Sequence, residues 1–219
     1  MKITKYLHSC LLLEHDNQRL LFDPGSFSFA HGEVNAAKLT DIDYLVITHD
    51  HPDHLYIPAI KEIVANNDPE IIANQQVADK LTGESFEVTV FGEGQRQFGA
   101  FHLQAIPVAH EPILADRLPE LTAFLVNGSI LNPADSFSDD LLQFKGCELL
   151  ICPIMAPFLT EVRAFEFMKS IAPKAVLPVH DGYAKEYFVQ ARQKNFAAYL
   201  DKEGIACHGL VAIGEHVDL

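Results

Sequence analysis

The sequence contains no tryptophan and only four cysteines among its 219 residues. The cysteines are Cys10, Cys147, Cys152 and Cys207, and no two of them form a Cys-x-x-Cys pair. A chain of this length has enough apolar material to build a core without disulfide bonds. We therefore expect four free thiols that are buried in the core.

Long apolar runs and basic residues are also scarce. No run approaches the roughly 20 residues that a membrane span needs, and the run from Cys10 to Leu13 is too short for a secretion signal. The chain has 16 Lys and Arg against 30 Asp and Glu, a net charge of -14. Nucleic acids and anionic membranes bind through basic residues, so this balance disfavours both as partners. We expect a cytoplasmic protein with a small-molecule substrate, and a homo-oligomer stays open.

The order of the predicted elements indicates stacked sheets. There is no repeat, low-complexity tract or Ser/Gly linker, so we interpret residues 1–219 as one domain. Strands and helices do not alternate strictly, which favours sheets packed on each other with helices outside. The predicted strands are 2–7, 10–14, 19–22, 44–48, 71–73, 88–91, 101–108, 122–126, 130–132, 148–152, 175–179 and 207–213. The predicted helices are 57–66, 160–171 and 185–202.

Four potential metal ligands lie within six residues, directly after the predicted strand 44–48. In an extended loop, His49 and His51 project to the same side, so they can hold one ion through neutral imidazoles. Asp53 and His54 lie one turn further and can reach a second ion. Pro52 stiffens the loop between the two pairs. Four ligands are too few for two ions, so this pattern requires partners from elsewhere in the chain.

Four other residues of ligand type follow predicted strands. These residues are Asp23, His110, Asp135 and His180. Each of them alone is more often a turn aspartate or an ordinary histidine. Loops at strand ends are, however, where a rigid scaffold presents chemistry, so they are candidate partners for the histidine-rich loop.

With the histidine-rich loop and these residues at strand ends, the chain resembles the metallo-β-lactamase-fold hydrolases, and most of all the branch that includes ascorbate-6-phosphate lactonase. Residues 49–54 match the HxHxDH signature of that family, which is a highly specific motif. One departure is Ala134, since the family usually has glycine before its bridging aspartate. The segments that carry the resemblance are His8-Ser9, Leu21-Phe22-Asp23-Pro24-Gly25, His49-Asp50-His51-Pro52-Asp53-His54, Pro107-Val108-Ala109-His110, Asp135 and Leu177-Pro178-Val179-His180.

The resemblance implies an α/β fold, a four-layer αβ/βα sandwich of the metallo-β-lactamase type, with the site at one edge. It also implies the ligand set of a dinuclear site. The first ion would be bound by His49, His51 and His110, and the second by Asp53, His54 and His180. Asp135 would bridge the two ions, and Asp23 and His8 would orient ligands through hydrogen bonds.

The implied chemistry is hydrolysis by a metal-bridged hydroxide, with Asp53 as the catalytic residue that orients it and accepts its proton. Histidine and carboxylate ligands suit Zn²⁺ and Mn²⁺ equally, so the sequence does not choose between these metals.

Two loops, residues 26–39 and 111–121, are expected to shape the substrate pocket. In the first loop, Phe27, Phe29 and His31 are candidates for an aromatic lid. Arg117 in the second loop is a candidate contact for a phosphate or carboxylate, and Tyr183 is a candidate donor to a leaving group.

Three functions stay open on the sequence alone. The first is hydrolysis of a lactone or ester of a small polar metabolite, which the resemblance favours. The second is a phosphodiesterase for a cyclic nucleotide or a phospholipid headgroup. The third is a metal-binding sensor without turnover.

Overall fold

Two sheets of seven strands each form the centre of the computed structural model, which describes residues 1–219. The strands are β1 (Lys2–Lys5), β2 (Leu11–His15), β3 (Gln18–Phe22), β4 (Tyr44–Ile47), β5 (Glu70–Ala73), β6 (Thr89–Val90), β7 (Gly94–Phe98), β8 (Phe101–Val108), β9 (Leu121–Val126), β10 (Ile130–Asn132), β11 (Leu149–Pro153), β12 (Ala175–Val179), β13 (Ala206–Cys207) and β14 (His216–Asp218). The helices are α1 (Ser26–Phe29), α2 (Ile57–Asn67), α3 (Gln75–Thr82), α4 (Glu161–Ile171) and α5 (Glu186–Leu200), with short 3₁₀ segments at Ala36–Lys38, Asp139–Phe144 and Asp201–Glu203.

Both sheets are mixed. The first has the strand order β14-β1-β2-β3-β4-β5-β6, and the second has the order β13-β12-β11-β10-β9-β8-β7. β3, β4, β5 and β6 run parallel, as do β10, β11, β12 and β13, while the remaining neighbours pair antiparallel.

Alternation along the strands builds three layers of apolar contact. In β4, Val46 packs into a core shared by both sheets, whereas Leu45 and Ile47 face the opposite side and pack against α2 and α3. In β11, Ile151 joins the shared core and Leu150 packs against α4 and α5. Successive strand residues point to opposite faces, so apolar runs are buried on both sides. The predicted four-layer αβ/βα sandwich is confirmed.

Several predicted boundaries are confirmed by local hydrogen bonds. The side chain of Thr160 accepts a hydrogen bond from the backbone N–H of Arg163 and thereby caps α4. The same helix ends at Ile171 with Ala172 as its C-cap, immediately before Pro173. Gly204, at φ 73°, ends the 3₁₀ segment that follows α5.

The prediction of a final strand at 207–213 is wrong. That strand stops at Cys207, and the backbone N–H groups of Val211 and Ala212 donate to the carboxylate of Glu215 instead of to a neighbouring strand. The chain then returns as β14, which pairs with β1 in the other sheet. The local acceptor at Glu215 closes a turn, and the apolar content of the segment did not reveal it.

Four elements were not predicted: the short α1 and β14, and the longer α3 and β7. The helix α3 buries only Val77, Ala78 and Leu81, and the strand β7 (GQRQF) is exposed except at Phe98. Both elements are mostly polar, so neither produces a strong apolar period.

All four cysteines are free thiols. Cys10 and Cys152 are buried, whereas Cys147 and Cys207 are partly exposed, so the prediction of burial is wrong for the last two. None of the helices has the length and apolar character needed to cross a membrane.

The ends of five strands from both sheets meet at one edge of the sandwich. Asp23 follows β3, and His49 lies two residues after β4. In the second sheet, His110 follows β8, Asp135 follows β10 and His180 follows β12. The loops at this edge therefore bring together residues from the whole chain.

Candidate metal centre

Two groups of potential metal ligands lie side by side at this edge. In each group, one ligand atom per residue can be chosen so that all of them lie within 4.8 Å of one another. The first group is His49, His51, His110 and Asp135, and the second group is His8, Asp53, His54 and His180. All seven residues predicted as ligands from the sequence are thus brought together.

Asp135 lies between the two groups. Its Oδ2 atom is 3.6 Å from Nε2 of His110 and 3.9 Å from Nε2 of His49, both in the first group. The same oxygen is 3.1 Å from Nε2 of His180, and Oδ1 is 3.5 Å from Nε2 of His54, both in the second group. Only this carboxylate approaches ligands of both groups so closely, which is the position of a bridging ligand.

Four buried polar atoms converge here without a hydrogen-bond partner. They are Nε2 of His54, His110 and His180, and Oδ1 of Asp135. An unsatisfied buried donor or acceptor costs about 1–3 kcal/mol, so four in one place call for a common partner. Imidazole nitrogens and carboxylate oxygens are ligands of divalent transition metals, so the donor set fits metal ions.

Hydrogen bonds at the opposite ring nitrogen orient three of these imidazoles. Each Nδ1 atom faces an oxygen that can only accept a hydrogen bond, so Nδ1 carries the proton and Nε2 presents a lone pair to the centre. The pairs are His54 Nδ1 with Asp23 Oδ2 (2.9 Å), His110 Nδ1 with the Glu111 carbonyl (2.6 Å) and His180 Nδ1 with the Met155 carbonyl.

Asp23 orients ligands of both groups from a buried position. Its carboxylate accepts hydrogen bonds from the backbone N–H of Thr48 (2.8 Å) and from His54 Nδ1 (2.9 Å). It also accepts from the Thr48 hydroxyl (2.9 Å), whose oxygen lies 3.0 Å from His49 Nδ1. Because that hydroxyl donates to Asp23, it accepts from His49 Nδ1, so Nε2 of His49 carries the lone pair of the ring, and Nδ1 of His51 lies 3.1 Å from it.

The electrostatic environment keeps His49 and His51 of the first group neutral and favours a positive charge at His54 of the second group. Burial lowers the pKa of His49 and of His51 below the ordinary value, as a metal-binding imidazole requires. Burial also lowers the pKa of His54, but the carboxylates of Asp135 and Asp23 outweigh it and hold the pKa well above the ordinary value. The two carboxylates therefore stabilise a positive charge at His54, whether a second proton on the ring or a metal ion bound to it supplies that charge.

Both acidic ligands stay ionised in spite of their burial. Burial raises the pKa of Asp53, but a hydrogen bond from His8 and the nearby histidines outweigh burial and lower it. Burial also opposes ionisation of Asp135, and the neighbouring His180 and His54 nevertheless hold its pKa well below the ordinary value. Two carboxylates in their charged form are suited to bind cations.

His8 lies within the second group by distance, but its hydrogen bonds indicate that it orients Asp53 and is not a metal ligand itself. The backbone N–H of Gly182 donates to His8 Nδ1 (3.0 Å), so the remaining proton is on Nε2. That Nε2–H faces Asp53 Oδ2 at 3.1 Å and donates to it. Burial and the neighbouring His180 lower the pKa of His8 to about 3, consistent with a neutral ring. His8 is a donor that holds Asp53.

Tyr183 donates a second hydrogen bond to Oδ2 of Asp53, at 2.9 Å. Its ring lies 4.8 Å from the ring of Phe27, which is also 4.7 Å from the ring of His8. Burial and the Asp53 carboxylate raise the pKa of Tyr183, which keeps its hydroxyl protonated. The half-exposed Tyr183 therefore offers a proton at the rim of the centre.

The remaining residues expected near the substrate lie in varied positions. Arg117 is exposed and forms no side-chain hydrogen bond or ion pair within the chain. Phe27 packs on His8, whereas Phe29 is buried in the core beneath the first sheet and His31 is exposed. The expected aromatic lid is therefore wrong for Phe29, which belongs to the core.

Close backbone approach at the centre requires one glycine. A Cβ atom on Gly25 would lie 1.6 Å from the carbonyl oxygen of Asp53. No side chain can fit in that space, so the segment after β3 touches the histidine-rich loop directly.

Several residues of the centre have left-handed backbone conformations. His8 (φ 64°), Asp23 (φ 46°), Ala134 (φ 49°) and His180 (φ 65°) all have positive φ. Such conformations are uncommon for residues other than glycine and cluster at functional sites, where surrounding contacts hold them.

Sequence reasoning missed Thr48, Phe158 and a buried ion pair between Lys5 and Asp181. The Phe158 ring lies 5.5 Å from that of His110 and 6.2 Å from that of His180. Thr48 ends the predicted strand that precedes the motif, so its position offered a signal. Lys5 is one of two lysines in an N-terminal strand, and nothing in the local pattern indicated that it is the buried one.

The chain is similar to proteins of known families in sequence and structure. The family described as a "Beta-lactamase superfamily domain" matches residues 2–180. Protein Rv0786c of Mycobacterium tuberculosis is 29% identical over 188 residues, covering 82% of this chain and 84% of that protein. A UPF0173 metal-dependent hydrolase of Nanoarchaeum equitans is 24% identical, with 94% of each chain covered. The solved structure of Igni18, a metallo hydrolase from Ignicoccus hospitalis, aligns with a TM-score of 0.76 at 20% identity, covering 99% of this chain and 97% of that one.

Proposed function

The chain belongs to the β-lactamase superfamily, and from this premise we propose that it is a metal-dependent hydrolase whose centre holds two divalent cations. The observation that carries the proposal is the convergence of buried, unpartnered ligand atoms from His54, His110, His180 and Asp135. Relatives that are named metal-dependent hydrolases support the same activity.

The ligands divide between the two cations according to the two groups. His49, His51 and His110 would bind the first ion, and Asp53, His54 and His180 would bind the second. Asp135 would contact both. The ions are Zn²⁺ or Mn²⁺, since imidazole and carboxylate suit both metals.

The residues around Asp53 prepare it for proton transfer. Two bound divalent cations lower the pKa of a water molecule and polarise the oxygen of a substrate. His8 and Tyr183 both donate to Oδ2 of Asp53, which leaves Oδ1 free of hydrogen bonds from the protein. Asp53 is ionised, so its carboxylate can orient the attacking water and accept its proton.

The favoured substrate class is a lactone or other ester of a small polar metabolite. When water attacks the carbonyl carbon of an ester, the C–O bond breaks and the leaving alkoxide needs a proton. The protonated hydroxyl of Tyr183 lies at the rim beside Asp53, where it can donate to that oxygen. Tyr183 is thus the general acid that this proposal assigns to the leaving group.

A phosphodiester is the second candidate substrate. Arg117 is an exposed cation without an ion-pair partner, in the loop that begins directly after His110. A guanidinium at this place suits an anionic group such as the phosphate of a cyclic nucleotide or of a phospholipid headgroup.

Metal content is the first measurement. Protein purified without chelator and without nickel affinity resin would be analysed by mass spectrometry for bound metals, beside a His51→Ala, Asp135→Ala double variant. We expect about two ions per chain in the wild type and their loss in the variant. One ion or none, even after Zn²⁺ or Mn²⁺ is added, would rule out the two-metal centre.

Turnover is then measured with the metal that the protein holds. A panel of lactones, simple esters and phosphodiesters would be tested on the wild type and on Asp53→Asn, which keeps an oxygen ligand but removes the base. We expect hydrolysis of at least one class by the wild type and a loss of about 100-fold or more in the variant with metal retained. No turnover by the fully loaded wild type would instead support a metal-binding sensor.

A further inference from the structure

A buried ion pair lies directly behind the second group. Lys5 Nζ donates to Asp181 Oδ2 at 2.7 Å, and the two side chains are 0% and 3% exposed. Lys5 is the last residue of β1, in the first sheet, and Asp181 follows β12, in the second sheet. The pair therefore joins the two sheets at the edge that carries the centre.

The ion pair is continuous with the backbone of two residues of the second group. The other carboxylate oxygen of Asp181 accepts a hydrogen bond from the backbone N–H of His8 at 3.1 Å. The backbone N–H of His180 donates to the carbonyl of His8 at 3.0 Å, and that of Gly182 donates to the His8 ring at 3.0 Å. Three hydrogen bonds thus hold residues 180–182 and His8 together, and the ion pair joins Asp181 of this segment to Lys5.

Both histidines are held in conformations that they would not adopt freely. His8 has φ 64° and His180 has φ 65°. Left-handed backbone at residues other than glycine persists only where surrounding contacts enforce it. Three of the hydrogen bonds that hold this segment include His8, and the buried carboxylate of Asp181 accepts one of them.

Stability alone is a weak reason for a lysine at this position. A buried ion pair loses the hydration of both charges, and apolar residues of similar volume often stabilise a fold equally well. A buried pair does, however, fix the geometry of what it touches, because its hydrogen bonds are directional and unmade ones are costly.

We propose that Lys5 and Asp181 are positioning residues that set the affinity of the second ion by fixing the backbones of His8 and His180. The inference rests on the proposed two-metal function. The three histidines of the first group have no hydrogen bond to this network, since His49 pairs with Thr48 and His51, and His110 pairs with Glu111. Only Asp135, which lies between the two groups, approaches His180. Loss of the ion pair should therefore weaken one ion and spare the other.

The test compares metal affinities of the wild type, Lys5→Met and Asp181→Asn. Zn²⁺ binding to the metal-depleted full chain would be measured by calorimetry, and Co²⁺ binding by optical absorption, to resolve the two ions. We expect the second ion to bind about 10–100-fold more weakly in both variants, as for other residues that orient metal ligands. The first ion should stay within about 3-fold of the wild type.

Two control variants separate positioning from a general loss of stability. Leu200→Ala removes a buried side chain at the end of α5, and Lys61→Met removes the lysine of an exposed ion pair with Glu84. Neither should change the ratio of the two affinities, even where Leu200→Ala lowers the melting temperature as much as Lys5→Met. If Lys5→Met does not fold, the isosteric Asp181→Asn carries the test.

Two results would overturn the inference. Equal weakening of both ions, or of neither, in a folded variant would mean that the pair serves only the fold. A single ion in the wild type itself would remove the two-metal function and this inference together, so the wild-type stoichiometry distinguishes the two failures.

Discussion

The two ligand groups differ in where their support comes from. In the first group, the side chains of His49 and His110 are each held by the residue next to them in the chain. In the second group, the partners are 25 residues away for His180, 31 for His54 and up to 130 for Asp53. The tertiary fold assembles both groups, but His49 and His110 of the first are oriented by sequence neighbours, whereas the second group is oriented by distant segments.

This difference predicts different behaviour of the two ions. A ligand held by its neighbour keeps its orientation when distant parts of the chain change. A ligand held by remote segments depends on all of them, so binding of the second ion is coupled more strongly to folding. Substitutions outside the motif should therefore affect the second ion more than the first.

The largest loss of metal binding and activity is expected at Asp135, because this residue lies close to ligands of both groups. Asp135→Ala removes the one carboxylate that approaches both groups, so both ions should be lost and activity should fall by more than about 100-fold. Metal analysis and steady-state kinetics would measure this. Asp139→Ala, an exposed aspartate four residues later, is the matched control and should change neither. Retention of both ions in Asp135→Ala would contradict the bridging position.

At Asp23, substitution is expected to weaken the second ion more than the first. Asp23→Ala removes the acceptor of His54 Nδ1 and of the backbone N–H of Thr48. The second ion should bind about 10–100-fold more weakly. The first ion should change less, because Asp23 reaches His49 only through the Thr48 hydroxyl. Calorimetric titration would resolve the two affinities.

The control for this variant is Asp218→Ala, which removes a carboxylate that is 75% exposed at the far end of the chain. It should leave both affinities unchanged. A larger loss at the first ion than at the second in Asp23→Ala would reverse the comparison between the groups.

A smaller effect is expected at Tyr183. Tyr183→Phe removes one hydrogen bond to Asp53 and leaves the donation from His8 in place. One net hydrogen bond contributes about 0.5–1.5 kcal/mol, so kcat should fall by about 2–10-fold with both ions retained. Tyr187→Phe, in the first turn of α5, is the matched control, since Tyr187 is 71% exposed. For a substrate with a poor leaving group, a fall much above 10-fold would indicate proton donation by Tyr183 as well.

The same contrast explains what the sequence could predict. Residues 49–54 are contiguous, so their spacing alone indicated two ions, and the strands before His110 and His180 were visible as apolar runs. The inner and outer faces of the sandwich followed from alternation in strands such as β4.

The support of the second group could not be predicted in this way. Lys5 and Asp181 are 176 positions apart and form a pair only after the two sheets have packed. The donation from Gly182 to His8 is equally remote, at 174 positions. Hydrogen bonds of this kind leave no periodic pattern, and the resemblance to a family supplied His8 and Asp23 without their partners.

The smallest effect is expected at Ala134, the residue before the shared aspartate. Its φ of 49° costs about 1–2 kcal/mol for a residue with a Cβ atom. Glycine would remove that cost, but it would lose about 0.5–1 kcal/mol to backbone entropy and a further ~0.8 kcal/mol from the buried methyl group. These contributions nearly cancel, so Ala134→Gly should change the free energy of unfolding in urea by less than about 1 kcal/mol.

Ala172→Gly is the matched variant at the end of α4, where φ is 45° and the methyl group is only partly buried. With less methyl burial to lose, this variant should be stabilised by up to about 1 kcal/mol, and the difference between the two variants measures what the methyl of Ala134 contributes. Both ions should stay bound in Ala134→Gly. Since Asp135 serves both groups, any change in its turn must alter the two affinities together, and a change in only one of them would show that its oxygens are positioned separately.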